Sequence, residues 1–213
     1  MEKTESEETY MTYLLAAAMG YLLGCSNMAY WLSLIKKVDI RNNGSGNLGA
    51  SNATVLLGWK AGILVAAHDI GKAVLAVVLA GLLFPETVAV GAAAGVACVL
   101  GHIFPFYLKF KGGKGLASFF GTVLALNWKV ALALALLGVL ITVITDFVSL
   151  AALSISITAP VGIWYLEGGA IVPLILCIAT AVMIFKHIEN IHRILNRTEI
   201  GLRSTAKGEK RIK

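Results

Sequence analysis

The longest polar interruption in an otherwise apolar sequence is residues 42–52, and its composition suits the binding of an anion. Three glycines fall within six positions directly ahead of a predicted helix, so the backbone can turn successive amides toward one point. Serine and asparagine side chains add further donors. We interpret the segment as a phosphate or carboxylate site, with a flexible linker as the alternative; its candidate residues are Gly44, Ser45, Gly46, Asn47, Gly49, Ser51 and Asn52.

A second segment, residues 101–115, combines lysines with aromatic residues and glycines. The aromatic residues and Lys109 are typical of an anchor at the membrane interface, where lysines contact anionic lipid. An anchor does not account for the three glycines around Lys114, where the chain is both sharply bent and positively charged. Because a phosphate close to backbone amides favours that combination, we predict that Lys111, Gly112, Gly113 and Lys114 bind phosphate. Neither segment has the spacing of a nucleotide-binding P-loop.

A third segment, residues 187–193, follows the last apolar stretch. At about 100° per residue of an α-helix, His187 and Asn190 share one face, while Glu189 and Arg193 form an i, i+4 pair on another. His187 and Asn190 can therefore point together into a helix bundle as polar groups of a site. A histidine at a helix end also serves as a partner for the last carbonyls, and the residues alone leave that alternative open.

The composition of the chain requires a membrane around these polar segments. Of its 213 residues, 58% are hydrophobic and only 14% are charged, and the mean hydropathy is +0.81. A soluble domain has about 45–50% apolar and about 25% charged residues. The chain is therefore predicted to be an all-α polytopic membrane protein. Its net charge of +6 lies in a few clusters between apolar stretches, which indicates membrane topology and not nucleic-acid binding.

A membrane span needs about 20 apolar residues, and seven stretches are candidates. The fourth and fifth are short and are separated by residues 127–129, which we interpret as a tight turn between two helices. One long helix there would give six spans, and that count is the alternative. The predicted spans are residues 10–35, 55–83, 88–108, 115–126, 130–145, 148–166 and 170–185.

Positive charge is concentrated on one side of these spans. Basic residues follow the first and third spans and fill the C-terminal tail, whereas the N-terminus is acidic. The positive-inside rule then puts the N-terminus outside and the C-terminus in the cytoplasm. The predicted parts are an acidic extracellular segment at 1–9, a seven-helix membrane domain at 10–186, and a cytoplasmic His/Asn motif with a basic tail at 187–213. All three polar segments fall on the cytoplasmic side, facing anionic lipid headgroups.

Taken in order, the three segments resemble the signatures of a known family. They read GSGNLGASN at 44–52, HIFPFYLKFKGGKG at 102–115 and HIENIHR at 187–193. Those signatures are typical of the bacterial membrane glycerol-3-phosphate acyltransferases that use acyl phosphate as donor (the PlsY family). The resemblance covers residues 40–200, about the whole membrane domain. It implies seven helices in the bacterial plasma (inner) membrane, and transfer of a fatty acyl group to sn-glycerol 3-phosphate that yields lysophosphatidate and phosphate for phospholipid biosynthesis.

The resemblance also assigns roles to residues of this sequence. Ser45 and its glycine neighbours would hold the acyl phosphate, and Lys114, Ser149, His187 and Asn190 would contact the two phosphates or the glycerol. We take Ser45, Lys114, His187 and Asn190 as the catalytic candidates, and Ser149 joins the phosphate-binding residues of the first two segments. The resemblance implies no cofactor and no metal.

One position departs from the family pattern. An arginine usually follows the final asparagine of the first signature by three residues and binds glycerol 3-phosphate; here that position is Val55. Lys60 lies five residues further on and about 140° around the helix, so it is a poor substitute. The departure predicts weaker acceptor binding, a different acceptor, or an inactive member.

The residues offer no good protein nucleophile for acyl transfer. Cys25, Cys98 and Cys177 lie inside apolar stretches, where we interpret them as small buried hydrophobic residues, and no histidine is placed to activate a serine. An acyl phosphate is already activated, so we expect direct transfer without an acyl-enzyme. Asp69 and Lys72, at i, i+3 in the second span, are expected to form a structural ion pair.

Two other classes of function remain as alternatives. A transporter would need polar groups near the bilayer midplane and an internal repeat, and apart from a few charges in the second span the sequence has neither. A non-catalytic or different-acceptor paralogue would bind phosphorylated lipid precursors with the same three segments.

Overall fold

The computed structural model describes residues 2–199 and 201–203, and no strand occurs among them. A 3₁₀ helix, Phe106–Leu108, follows the fifth α-helix. The basic tail predicted at 187–213 lies outside the described residues at 200 and from 204 onward. The described α-helices are α1 Glu2–Cys25, α2 Met28–Lys36, α3 Ala50–Leu57, α4 Trp59–Leu83, α5 Val90–Ile103, α6 Leu116–Leu126, α7 Trp128–Thr145, α8 Val148–Glu167 and α9 Ile171–Leu195.

Five of these helices are long and apolar enough to cross a membrane, namely α4, α7, α8, α9 and the stretch from Val90 to Leu108 that contains α5. Helix α6 is apolar but has only 11 residues, which at 1.5 Å per residue is about half of a bilayer core. The helical, multi-span architecture is confirmed. The count of seven spans and the orientation of the termini remain predictions.

Helix α1 begins earlier than its apolar residues indicate. The sequence predicts a helix from residue 10, whereas α1 starts at Glu2 and includes the acidic stretch. Glutamate is a good helix former, and negative charge near a helix N-terminus is favourable to the helix dipole. The acidic residues are therefore part of the helix, and their position outside the membrane remains a prediction.

Polar residues and glycine interrupt the first two predicted spans. Between α1 and α2 the chain breaks at Ser26 and Asn27, and the Asn27 side chain caps α2 by accepting from the Tyr30 amide at 2.9 Å. Gly58, with φ of 92°, separates α3 from α4. Each predicted span is therefore two helices, because a side-chain cap or a left-handed glycine offers the backbone an alternative to continuing.

The predicted turn at 127–129 is confirmed as a boundary between two helices. Asn127 ends α6 and caps α7, and its side-chain oxygen accepts from the amides of Lys129 at 3.0 Å and Val130 at 3.1 Å. The same side chain donates to Glu167 at 2.9 Å, which joins this turn to the end of α8.

Helix α5 is central and packs against α1, α4, α6 and α9. Glycines allow the closest of these approaches: a Cβ on Gly20 or Gly24 of α1 would lie 2.1 or 2.0 Å from the carbonyl oxygens of Ala94 and Cys98. Small residues at helix contacts are the usual means of close packing in membranes. The end of α5 and the segment that follows it are thus held by neighbours on several sides.

The cysteine prediction is correct at two positions and wrong at one. Cys25 and Cys98 are buried, whereas Cys177 is exposed on α9. An apolar side chain on a membrane span does not need to be buried within the protein, because lipid tails are as apolar as the protein interior.

Candidate functional site

A cavity of about 700 Å³ lies where the three polar segments come together. Its lining includes six lysines or arginines against one glutamate, so it is strongly positive and suited to phosphate groups. The lining residues are Arg41 with Asn42, Ser45, Gly46 and Asn47 of the first segment, Leu108, Lys109, Lys111, Gly112 and Lys114 of the second, and Phe185, Lys186, Ile188, Glu189 and Arg193 of α9.

Asp39 organises the start of the first loop. Its carboxylate accepts from the Arg41 amide at 3.1 Å and from the Asn42 side chain at 2.7 Å, and its carbonyl accepts from Asn43 at 2.8 Å. The Arg41 amide lowers the pKa of the Asp39 carboxyl below its ordinary value. The charge that holds this turn is therefore present at neutral pH, and the turn carries Arg41 and Asn42 to the cavity.

Asn52 closes the same loop from behind. The residue is 3% exposed on α3. Its side-chain oxygen accepts from the Ser45 amide at 2.9 Å, and its side-chain nitrogen donates to the carbonyls of Ile40 at 3.1 Å and Asn43 at 3.3 Å. Because these bonds engage the amide group inside the loop, Asn52 shapes the loop rather than donating to a ligand as predicted.

The backbone amides of this loop also bond within the loop. The Gly46 amide donates to the Asn43 carbonyl at 3.1 Å, and the Asn47 amide lies 3.4 Å from the Ser45 hydroxyl oxygen. Gly44 and Gly46 have φ of 61° and 70°, so glycine is needed there for the turn itself. The amides of Ser45, Gly46 and Asn47 are therefore engaged within the loop, and binding of a ligand by the other amides of the segment remains a prediction. The loop lines the cavity with Ser45, Gly46 and Asn47.

The glycines of the second segment serve close packing. The Gly112 amide donates to the Ile103 carbonyl at 3.0 Å, and the Gly113 amide donates to the His102 carbonyl at 3.1 Å. A Cβ on Gly112 would lie 2.0 Å from the His102 carbonyl oxygen, and one on Gly113 would lie 2.0 Å from His102 Nε2. The prediction that these glycines free amides for a phosphate is wrong, because the end of α5 occupies both the space and the amides. The segment contributes its lysines to the cavity.

The third segment continues α9 and points its polar residues inward. His187 is 3% exposed and Asn190 is 5% exposed, on the shared face that the helical spacing predicts. His187 Nδ1 donates to the Met183 carbonyl at 2.7 Å, one turn earlier in the same helix. The Lys114 ammonium donates to the Asn190 side-chain oxygen, which links the second segment to the third.

Beyond α9 the chain turns back and places a buried carboxylate behind Asn190. Glu199 accepts from Asn190 Nδ2 at 2.6 Å and from Arg193 Nε at 2.6 Å, and the Ser149 hydroxyl donates to it at 3.5 Å. Sequence analysis did not single out Glu199. Its signal in the sequence is weak, since a single acidic residue six positions after a basic one is equally consistent with an exposed surface charge.

The predicted site residues divide into two groups. Ser45, Gly46, Asn47, Lys111, Gly112 and Lys114 line the cavity. The other predicted residues are not in the lining, and they are Gly44, Gly49, Ser51, Asn52, Gly113, Ser149, His187 and Asn190. Arg41 and Arg193 also line the cavity although the sequence analysis assigned them to topology and to a surface pair.

Sequence comparison identifies the family to which this site belongs. A sequence model of the family described as "Glycerol-3-phosphate acyltransferase" matches residues 14–197. The chain belongs to the glycerol-3-phosphate acyltransferase family. Glycerol-3-phosphate acyltransferase 1 of Oceanobacillus iheyensis is 36% identical over 202 residues, covering 91% of this chain and 97% of that protein. The glycerol-3-phosphate acyltransferase of Thermoanaerobacter pseudethanolicus is 39% identical over 190 residues, covering 89% of this chain and 95% of its own.

Two solved structures of this family have the same fold. A crystal structure of PlsY (YgiH), an integral membrane glycerol 3-phosphate acyltransferase, in its glycerol 3-phosphate form is 34% identical and matches with a TM-score of 0.86. That match covers 92% of this chain and 98% of the other. The lysophosphatidic acid form of PlsY matches with a TM-score of 0.82, covering 89% of this chain and 94% of the other. This acyltransferase family member is therefore a multi-pass integral membrane protein, as its composition predicts.

Proposed function

We propose that this chain transfers a fatty acyl group from acyl phosphate to a hydroxyl of sn-glycerol 3-phosphate, giving lysophosphatidate and phosphate. The observation that carries the proposal is the cavity that residues of all three family signatures line, with cations from the second and third signatures and from Arg41 and Lys186 beside them. The relatives are named for glycerol 3-phosphate, and the solved structures are of forms with glycerol 3-phosphate and with lysophosphatidic acid, the proposed acceptor and product. The cavity lining carries more positive charge than one phosphate needs, and a donor that also carries phosphate accounts for the excess.

The proposed chemistry is a direct displacement. A hydroxyl oxygen of glycerol 3-phosphate attacks the carbonyl carbon of acyl phosphate, the bond from that carbon to the phosphate oxygen breaks, and phosphate leaves with the electron pair. The hydroxyl proton passes to a substrate phosphate, whose second pKa is about 6. Holding both substrates in attack geometry can supply about 7–11 kcal/mol of the barrier reduction, so an acyl-enzyme is not required.

The cavity residues support particular roles in this reaction. Lys111, Lys114, Arg41 and Arg193 offset the repulsion between two phosphates brought together. Ser45, which lines the same cavity, would donate its hydroxyl to the acyl phosphate. Asn190 and His187 support the site from behind, Asn190 through its hydrogen bond with Lys114.

We also propose that the chain has seven spans with the N-terminus outside and the site at the cytoplasmic face. Helix α1, and α6 with its flanking residues, would add the two spans beyond the five long apolar helices, and the cluster of cations around the cavity would then face the cytoplasm. Anionic lipid headgroups at that face would surround the entrance. An acyl phosphate could then reach the cavity from the bilayer while glycerol 3-phosphate arrives from water.

The test is phosphate release from palmitoyl phosphate by the purified protein, with and without glycerol 3-phosphate. Release that depends on the acceptor, together with a lysophosphatidate product, supports the proposed function. Release without the acceptor, or none, favours a paralogue with another acceptor or a non-catalytic one. A protein-bound acyl group that hydroxylamine removes would contradict direct transfer.

Val55→Arg should lower the apparent KM for glycerol 3-phosphate by about tenfold, or about 1.4 kcal/mol. Val55 is 54% exposed on α3, directly after the first loop, so a guanidinium there can stay hydrated until substrate arrives. The KM for acyl phosphate should change little. Steady-state kinetics at low and high salt measure the effect, which should shrink at high salt because a partly exposed charge pair is screened.

Two further variants make this prediction specific. Val55→Met introduces an uncharged side chain of length similar to that of arginine, and it should leave the acceptor KM unchanged. Arg41→Ala should raise that KM more in the natural sequence than in the Val55→Arg background, because Arg41 lines the same cavity and would then share the phosphate with position 55. An unchanged or higher acceptor KM in Val55→Arg would show that position 55 does not face the acceptor phosphate.

A further inference from the structure

A cluster of buried charged and polar groups lies within the helix bundle, beside the cavity but not in its lining. Asp69 and Lys72 form the ion pair expected from their spacing, with Lys72 Nζ 2.7 Å from Asp69 Oδ1 and side chains 2% and 4% exposed. The local sequence pattern around Asp69 and Lys72 does not indicate His102 as a further member. His102 of α5 joins them, with its Nδ1 3.0 Å from Lys72 Nζ and 3.3 Å from Asp69 Oδ1.

The contacts of the ion pair hold the His102 ring in place. Lys72 Nζ donates to Asp69 and to the Ser26 carbonyl at 2.7 Å. His102 Nδ1 faces both members of the pair, so it accepts from Lys72 in one tautomer and donates to Asp69 in the other. Helix α4 thereby fixes both the position and the rotation of the His102 ring, because either bond must lie near the ring plane.

The fixed ring forms the surface against which the second segment packs. A Cβ on Gly113 would lie 2.0 Å from His102 Nε2 and 2.8 Å from its Cε1, so the glycine backbone is in contact with the ring edge. The Gly113 amide donates to the carbonyl of the same histidine. Lys114 follows immediately, and its backbone position is therefore tied to the histidine ring through a single residue.

We propose that Asp69, Lys72 and His102 are positioning residues of the acyl-transfer site, which hold the ring edge against Gly113 and so set where Lys114 enters the cavity. The proposal rests on the proposed function, since it concerns the binding of glycerol 3-phosphate by Lys114. The cluster acts through the loop and does not touch substrate. The positioning role also explains why buried charges, which cost desolvation free energy, lie beside a cavity that they do not line.

The test is a cycle of variants at His102 and the two glycines. His102→Asn keeps an acceptor near the Nδ1 position but lacks the Nε2 edge. In the natural sequence, Gly113→Ala should raise the apparent KM for glycerol 3-phosphate by about tenfold. In the His102→Asn background, the same substitution should raise the KM of that variant by less than about threefold. Gly112→Ala is the matched control: its Cβ would meet the carbonyl oxygen of His102, which the variant retains, so its effect should be the same in both backgrounds.

A second variant separates positioning from simple support of the fold. Asp69→Asn removes the charge that holds Lys72 and should raise the acceptor KM several-fold. Loss of folded enzyme alone lowers the maximal rate and the thermal unfolding midpoint in detergent, but it leaves KM unchanged. An unchanged KM in Asp69→Asn and His102→Asn, or effects of Gly113→Ala within twofold of each other in the two backgrounds, would overturn the positioning role. Absence of acceptor-dependent transfer in the natural enzyme would instead contradict the proposed function itself, and the positioning role with it.

Discussion

Lys114→Ala should lower kcat/KM for acyl transfer by between about a hundredfold and a thousandfold. Lys114 is the cavity lysine whose ammonium is fixed in place, because it donates to the buried Asn190. A preorganised charged donor aimed at developing negative charge is worth about 2.7–4 kcal/mol in comparable sites, since it needs no reorganisation during the reaction. Steady-state rates with both substrates varied would measure the loss.

The fold should survive this substitution. Lys114 is half-buried at the cavity and is followed by the glycine that starts α6, so little apolar packing depends on it. Lys129→Ala is the control, since Lys129 is an exposed lysine in the first turn of α7, and the activity of this variant should stay within twofold of the natural enzyme. Near-natural activity in Lys114→Ala, with normal insertion, would remove Lys114 from the site.

The parts of the site that lie within one helix or one loop could be predicted from the sequence. Helical spacing alone puts His187 and Asn190 on one face, and both are buried there. Charge counts around apolar stretches predict a site at one membrane face, and residues of all three polar segments line one cavity. The turn at Asn127 was predictable as well, because its asparagine and flanking apolar runs are local features.

The parts that depend on tertiary contact could not be predicted in the same way. Gly112 and Gly113 look like a phosphate-binding loop in sequence, but the end of α5 occupies the space and accepts their amides. His102 joins a pair of charges 30 residues earlier in the chain. No local pattern reports such a contact, since the burial of a glycine or a histidine is decided by whichever helix packs against it.

Glu199→Gln should lower kcat/KM by between about tenfold and a hundredfold, although it changes one oxygen to a nitrogen. The Glu199 carboxylate is 6% exposed and accepts from Asn190 Nδ2 and Arg193 Nε, both at 2.6 Å. A carboxylate only accepts, so it forces Asn190 to present its oxygen to Lys114. A glutamine at 199 has one acceptor for two donors, and its NH₂ must face one of them. Losing a charge-assisted bond costs about 1.5–3 kcal/mol, and a rotated Asn190 would no longer accept from Lys114.

Glu189→Gln is the matched control for this prediction, because it removes the other carboxylate that pairs with Arg193. Glu189 lies 3.6 Å from the Arg193 guanidinium at i, i+4, but its side chain is 85% exposed, and such surface pairs contribute little. Glu189 also lines the cavity, where removing its negative charge does not oppose phosphate binding, so kcat/KM should not fall. Equal losses in Glu199→Gln and Glu189→Gln would show that the buried carboxylate does not orient Asn190.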